Sequence, residues 1–273
     1  MIWRLLVAGK SDPSYNMAVD EAIMLGIRDG TSEPTVRFYD WDPPTVSCGY
    51  NQSFAQEVDF ELIAKEGFGF VRRPTGGRVV LHNNEITYSV IAPITGRFSG
   101  GLTASYSEIS KALATGLQLM GIDVEFEKGN LNSSAQRESY NPCFSSSSRY
   151  ELVVDKKKIV GSAQVRKDGI LLQHGSILLH HDQRKVASII HGLTEAKRKK
   201  LAEFLSKKTV AINQLLQVPI EYEQAVKLLR KGFEKAWSED RFYSDDNLQH
   251  TENKRVKYLI ETKYLTDDWN MRK

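Results

Sequence analysis

Three short segments carry side chains that packing alone does not require. The first is Arg72-Arg73-Pro74-Thr75-Gly76-Gly77-Arg78-Val79-Val80-Leu81-His82, in which paired glycines lie between arginines. Glycine reaches positive φ and lets backbone N–H groups approach a ligand with no Cβ in the way, and the arginines offer charge to an anion. A tight hairpin needs the same Gly-Gly pair. The second segment is Asn141-Pro142-Cys143-Phe144, a polar loop holding one of the two cysteines. A loop makes Cys143 more available as a nucleophile than Cys48, which sits in a strand-like run, although a lone cysteine often serves as a small buried hydrophobe. The third is Lys158-Ile159-Val160-Gly161-Ser162-Ala163-Gln164. A lysine beside a thiol favours thiolate, and a small Gly161-Ser162-Ala163 turn leaves backbone donors free to hold an oxyanion. A solvated turn lysine within Lys156-Lys157-Lys158 fits the same spacing.

The elements that must position these groups follow from periodicity and punctuation. Met1 to Val7 reads as a first strand. Asn16 to Arg28 reads as a helix, with Ser14 or Asn16 as cap and Gly30 beyond its end. Residues 36–39 and 45–49 read as short strands joined by a Pro43-Pro44 turn, and Asp59 caps a short helix that stops at Gly67. Strands over 68–72 and 85–91 enter and leave the Gly-rich loop. Ser105 to Glu108 has capping-box spacing ahead of the stripe Ile109, Leu113, Gly116, Met120. Residues 150–154 and 158–163 suggest the arms of a hairpin, 170–180 a strand interrupted by Gly175, and Val226, Leu229, Phe233, Trp237 a last amphipathic helix. Strands that neighbour each other in sequence, with helices inserted among them, imply α+β with mixed, largely antiparallel sheets.

Composition narrows the function class. The 273 residues are 41% hydrophobic and 26% charged, as in an ordinary soluble globular protein. No apolar run approaches the roughly 20 residues that span a bilayer, and the N-terminus is too short for a secretory signal, so no membrane role and a cytoplasmic location are expected. Two cysteines fit a reducing compartment. A net charge of +3 argues against nucleic-acid binding. The densest basic run, Lys197-Arg198-Lys199-Lys200, lies on a helix with Leu201, Phe204 and Leu205, and is either a solvated face or a docking patch for an acidic partner. His174, His180 and His181 have no spacing that argues for a metal site.

Taken in order, the segments resemble the biotin/lipoate protein ligase superfamily, and within it the cysteine-dependent octanoyltransferases of LipM type. The resemblance spans nearly the whole chain. It includes Asn16 to Glu21, Pro44 to Tyr50, the Arg72–His82 loop, Cys143-Phe144, Tyr150-Glu151, Lys158 to Arg166, Gln173 to Ser176, Lys263-Tyr264 and Trp269. ATP-using ligases of the superfamily share the Arg-Arg-x-x-Gly-Gly loop and the Lys-x-x-Gly-Ser-Ala run but lack the cysteine that falls at Cys143. Asn83-Asn84 after His82, the serine run 145–148, and Val79 depart from the usual pattern.

The resemblance implies a catalytic domain over 1–245 and a small helical tail, 246–273, packed on it. It implies Cys143 as acyl-thioester nucleophile and Lys158 as the cation that lowers its pKa. It implies Arg73, Thr75, Gly76, Gly77, Arg78, His82, Gly161, Ser162 and Ala163 as substrate-binding residues. The donor would be octanoyl-acyl carrier protein and the acceptor a lysine of a lipoyl domain such as glycine-cleavage H protein, with no cofactor and no metal. An ATP-dependent lipoate ligase, an amidotransferase working between lipoyl domains, and a non-catalytic acyl-binding module are the competing readings.

Overall fold

The computed structural model describes residues 1–128, 149–180 and 183–272. Along the chain, β1 (Ile2–Ser11) leads into α1 (Pro13–Arg28), followed by β2 (Thr35–Trp41) and β3 (Thr45–Cys48). Two short helices, α2 (Phe54–Glu57) and α3 (Phe60–Lys65), precede β4 (Gly69–Arg72), β5 (Val80–His82) and β6 (Glu85–Pro93). Next come α4 (Leu102–Leu119), β7 (Glu125–Lys128), β8 (Arg149–Val154), β9 (Lys157–Lys158), β10 (Val160–Lys167) and β11 (Ile170–Leu178). The remainder is α5 (Val186–Ile189), α6 (Glu195–Lys208), α7 (Ile212–Leu215), α8 (Tyr222–Ala236), β12 (Arg241–Ser244), α9 (His250–Leu259) and α10 (Asp267–Asn270).

Among the described residues the strands form three sheets. The largest has the order β10-β11-β6-β2-β1-β12, antiparallel from β10 to β2 and parallel from β2 to β12. A second sheet, β4-β3-β5, carries the Gly-rich loop between β4 and β5, and β7-β8-β9 make a third. The fold is α+β with mixed sheets and helices on their flanks, as the sequence pattern implies.

Period-2 alternation divides the large sheet into two faces. Val36 and Phe38 of β2, with Ile86, Tyr88 and Val90 of β6, pack against Ile109, Leu113 and Leu117 of α4 and Leu229 and Phe233 of α8. Tyr39, Trp41 and Ile91 point the other way, onto Met17, Ala18, Ala22 and Ile23 of α1, which in turn packs on Val256 and Leu259 of α9. Close approach of α4 and α8 depends on Gly116 and Gly232. A Cβ on Gly232 would stand 2.4 Å from the Gly116 nitrogen.

Four local expectations change. Helix α1 begins at Pro13 with Asp12 as its cap, because the Asp12 carboxylate accepts from the Ser14 N–H and proline suits the first helical turn. Asn16 is instead buried, donating to the Ser11 and Asp40 carbonyls. Helix α4 starts at Leu102, so Ser105 lies inside it and its hydroxyl donates to Gln164 at 3.0 Å. Gly161, Ser162 and Ala163 belong to β10 rather than to a turn, since each pairs with β11, so the hairpin expected between 150–154 and 158–163 is confined to β8 and Lys157–Lys158. Strand β11 runs unbroken through Gly175 to Leu178, because glycine there removes a clash rather than breaking the strand.

Candidate active site

A cavity opens where β10, β11, β5 and the α1 face of the large sheet converge. It holds ≈ 360 Å³ of empty space, part of it open to solvent. Met17, Tyr39, Trp41 and Val80 give it apolar walls, and Ser47, Arg73, His82, Thr87, His174 and Ser176 supply polar groups. Gly161, Ser162, Ala163 and Gly175 form the remaining wall. Gly175 is required there: a Cβ on it would come within 2.5 Å of the Gly161 carbonyl and 2.8 Å of the Ser162 hydroxyl. The Ser162 hydroxyl lies 2.7 Å from the Tyr88 hydroxyl, which accepts a bond from Gln173 at 2.8 Å.

The Gly-rich loop is held from both ends. Arg72 is fully buried and donates to the carbonyls of Gly49 and Gln52 on one side, and of Trp269, Asn270 and Arg272 on the other. Arg73 turns back on its own loop, donating to the carbonyls of Ser47, Gly76 and Arg78 and to the Ser47 hydroxyl. Gly77 takes φ +94°, a backbone region that favours glycine. The loop passes so close to Gly49 that a Cβ on Gly49 would lie 2.1 Å from the Gly77 carbonyl.

Two histidines link this loop and sheet to the core. His174 Nε2 is 2.6 Å from the buried Thr75 hydroxyl, and its Nδ1 is 3.2 Å from Asp20. Asp20 also accepts from Arg37, the Tyr39 hydroxyl and the Ser89 hydroxyl. Burial holds His174 below the usual histidine range, outweighing the neighbouring carboxylate. Burial alone would raise the Asp20 pKa, but the hydrogen bond from His174 and the charge of Arg37 bring it below the usual carboxylate value. The resulting state is an ionised Asp20 beside a neutral His174. His82 Nε2 lies 2.8 Å from the Ser47 hydroxyl and its Nδ1 lies 3.2 Å from Glu85, with the ring stacked on Trp41 at 4.4 Å.

The structure therefore gathers Arg73, His82, Gly161, Ser162 and Ala163 at one cavity. Thr75 reaches it through His174, and Gly77 approaches the Ala163 side chain. Gly76 and Arg78 belong to the loop but do not line the cavity. Lys158 does not line it either. Its ammonium is buried and bonded to Glu151 of β8 at 2.6 Å, two residues before β10 starts toward Gly161. Cys143 lies outside the described residues. Cys48 is fully buried in β3, and burial pushes its thiol up to about 12.

Asp20, Arg37, Ser47, His174 and Ser176 are absent from the sequence-derived site. A signal for two of them was present: Arg37 sits between Val36 and Phe38, and Asp20 shares a helix face with Met17 and Ile23. Charges in such apolar settings are seldom buried unless paired. The Ser176 hydroxyl is the one polar group of the cavity wall that is buried without a hydrogen-bond partner among the described residues. Such a group costs free energy unless something else satisfies it. In chemical terms the site joins an apolar-walled slot to an unsatisfied donor and small-residue backbone.

Among the described residues no group of three or more His, Cys, Asp or Glu is arranged to hold a metal ion, and no helix is long and apolar enough to cross a membrane. A family model for the lipoyl protein ligase A/B catalytic domain matches residues 12–234. Octanoyltransferase LipM of Kyrpidia tusciae is 42% identical over 276 residues, covering 99% of each chain. The LipM of Bacillus subtilis is 38% identical over 277 residues, covering 99% of this chain and 98% of that one. Among solved structures, a bipartite lipoate protein ligase from Thermoplasma acidophilum superimposes with a TM-score of 0.82 at 24% identity, covering 99% of this chain and 96% of that one. At that identity the likeness bears on the fold, while the full-length relatives bear on the branch. The chain thus belongs to the lipoyl protein ligase A/B catalytic family, on its LipM octanoyltransferase branch, and is an acyltransferase.

Proposed function

We propose that the chain transfers an octanoyl group from a carrier-protein thioester to one lysine of a lipoyl domain, such as glycine-cleavage H protein, by way of a thioester on Cys143. The observation that carries this reading is the cavity, whose apolar walls of Met17, Tyr39, Trp41 and Val80 end at polar groups. An octanoyl tail has six methylenes beyond its carbonyl and before its methyl. At ~0.8 kcal/mol each, their burial contributes roughly 5 kcal/mol, enough to make chain length a recognised feature.

In the first step the Cys143 thiolate attacks the donor carbonyl and the carrier thiolate leaves. In the second the acceptor amine attacks the Cys143 thioester, an amide forms, and the Cys143 thiolate is released while the amine gives up a proton. Thioester exchange is nearly even and amide formation runs downhill, so ATP has no role. Lys158 supplies the positive charge that favours the Cys143 thiolate. Ser176 would donate to the carbonyl oxygen as charge develops on it. The Gly76–Arg78 loop would cover the acyl chain, a role that its anchoring through Arg73 and Thr75 supports.

The test is the intact mass after mixing with octanoyl carrier protein and no nucleotide. One hydroxylamine-labile octanoyl adduct is expected, lost in Cys143→Ser and retained in Cys48→Ser. Iodoacetamide near neutral pH should likewise modify Cys143 and spare Cys48, whose thiolate is scarce below about pH 12. An adduct that persists without Cys143 refutes the mechanism. A strict need for ATP and free lipoate would establish the ligase reading instead.

A further inference from the structure

Positive charge is distributed unevenly along this chain. Residues 183–208 hold eight lysines and arginines against two glutamates, a net +6, whereas the whole chain carries +3, so the remainder is net negative. Most of this charge lies on α6, and helical periodicity sorts it into two exposed stripes. Glu195, Lys199 and Glu203 follow one another at four-residue spacing and alternate in sign, as an ordinary solvated face does. Lys197, Lys200, Phe204, Lys207 and Lys208 share the other stripe, which contains no acidic residue.

Two features separate this second stripe from the first. Phe204 is 39% exposed in its middle, with the Lys208 ammonium 6.0 Å from the ring centre, so an aromatic anchor stands within a cationic rim. The stripe is also tied to the site. Leu205 is buried with Val46, Cys48, Val79 and Leu81 of the sheet that carries the Gly-rich loop. Immediately after α6, Thr209 bridges to Lys158 and the Val210 N–H donates to the Lys158 carbonyl at 3.1 Å.

We propose that the Lys197–Lys200–Phe204–Lys207–Lys208 stripe of α6 is the docking surface for an acidic face of the carrier protein that delivers the acyl thioester. The inference rests on the transfer reading above and adds to it where the donor sits. No residue of α6 lines the cavity. A carrier presents its acyl group on a long flexible prosthetic arm and can dock at such an offset. A lipoyl domain presents a lysine side chain and must sit over the cavity mouth. An acidic partner would neutralise the stripe, gain steering over a Debye length, and cover Phe204.

The experiment compares the parent with K197E/K200E, K207E/K208E and F204A. Two readouts are used: binding of octanoyl carrier protein to labelled enzyme, and acylation by carrier protein against acylation by octanoyl-pantetheine, which has no protein surface. Each charge reversal should weaken carrier binding and raise the carrier KM by about tenfold or more at low salt, with the difference shrinking as salt rises. F204A should weaken binding with little change in salt dependence. Acylation by octanoyl-pantetheine and transfer from preformed acyl-enzyme to the lipoyl domain should match the parent. Unchanged carrier binding in the reversals overturns the proposal, as does equal loss with octanoyl-pantetheine. A defect confined to the lipoyl-domain step assigns the stripe to the acceptor and also overturns it. If neither thioester acylates the parent, the transfer reading fails, and the binding measurement still decides the surface.

Discussion

The buried Ser176 hydroxyl distinguishes a structural serine from one kept for a substrate. Leaving a buried hydroxyl unsatisfied costs about 1–3 kcal/mol, so Ser176→Ala should leave thermal stability unchanged or raise it. If Ser176 donates to the acyl carbonyl, the same substitution should lower acyl transfer by about a hundredfold. Calorimetry should therefore show no loss of stability while single-turnover acylation falls. Lower stability with normal transfer would make Ser176 a packing residue. Gln173-His174-Gly175-Ser176 belongs to the family resemblance, yet nothing in its residue types marks the Ser176 hydroxyl as one left without a partner. An unsatisfied hydroxyl is a property of three strands in register, with Ser176 facing Thr87 on one side and Gly161 on the other. Arg73 shows the converse limit. Its type and place are legible as a cation beside a Gly-Gly turn, yet its guanidinium is occupied by the carbonyls of that turn.

Local sequence carries much of the architecture at the level of elements, because both hydrophobic periods are strong. The expected helix over 16–28 and strands over 45–49, 68–72 and 85–91 all correspond to elements in the fold. The misreadings cluster where a small or polar residue serves a neighbouring element. Ser105 has the look of a cap but sits within α4 bonded to β10, Gly161 looks like part of a turn but pairs with Ser176, and Gly175 looks like a break but lets two strands approach. The loop glycines can be separated on the same grounds. A Cβ on Gly76 would meet nothing within 4 Å, whereas one on Gly49 would strike the Gly77 carbonyl. Gly49→Ala should therefore destabilise the fold by about 1–3 kcal/mol as the loop is pushed aside. Gly76→Ala should melt like the parent. If the open space beside Gly76 receives substrate, that well-folded variant loses acylation. Full activity in Gly76→Ala would remove Gly76 from the binding surface.

The tail closes the molecule in a way that no local pattern shows, since its partners are some two hundred residues away in sequence. Arg4 of β1 is fully buried and bonded through both terminal nitrogens to Glu252 of α9, at 2.8 and 2.6 Å. At the other end of the tail, the Trp269 ring N–H donates to the Arg72 carbonyl, and the Asn270 side chain accepts from the Arg72 N–H. The tail thus holds both the first strand and the residue next to Arg73, so its docking and the shape of the Gly-rich loop are mechanically linked. Glu252→Ala removes one partner of a buried pair and leaves Arg4 charged and buried with only the Thr35 hydroxyl still bonded to its side chain, which costs about 3–5 kcal/mol. The loss should appear as a lower denaturant midpoint. If docking of the tail supports the loop, the acylation rate should fall at denaturant concentrations too low to unfold the protein globally. Replacing both partners with methionine leaves no uncompensated charge, so Arg4→Met/Glu252→Met should recover most of the stability. It should recover the acylation rate with it. A double variant as unstable as Glu252→Ala would show that the carboxylate acts through its second contact, the Gln249 N–H at the start of α9, rather than through Arg4.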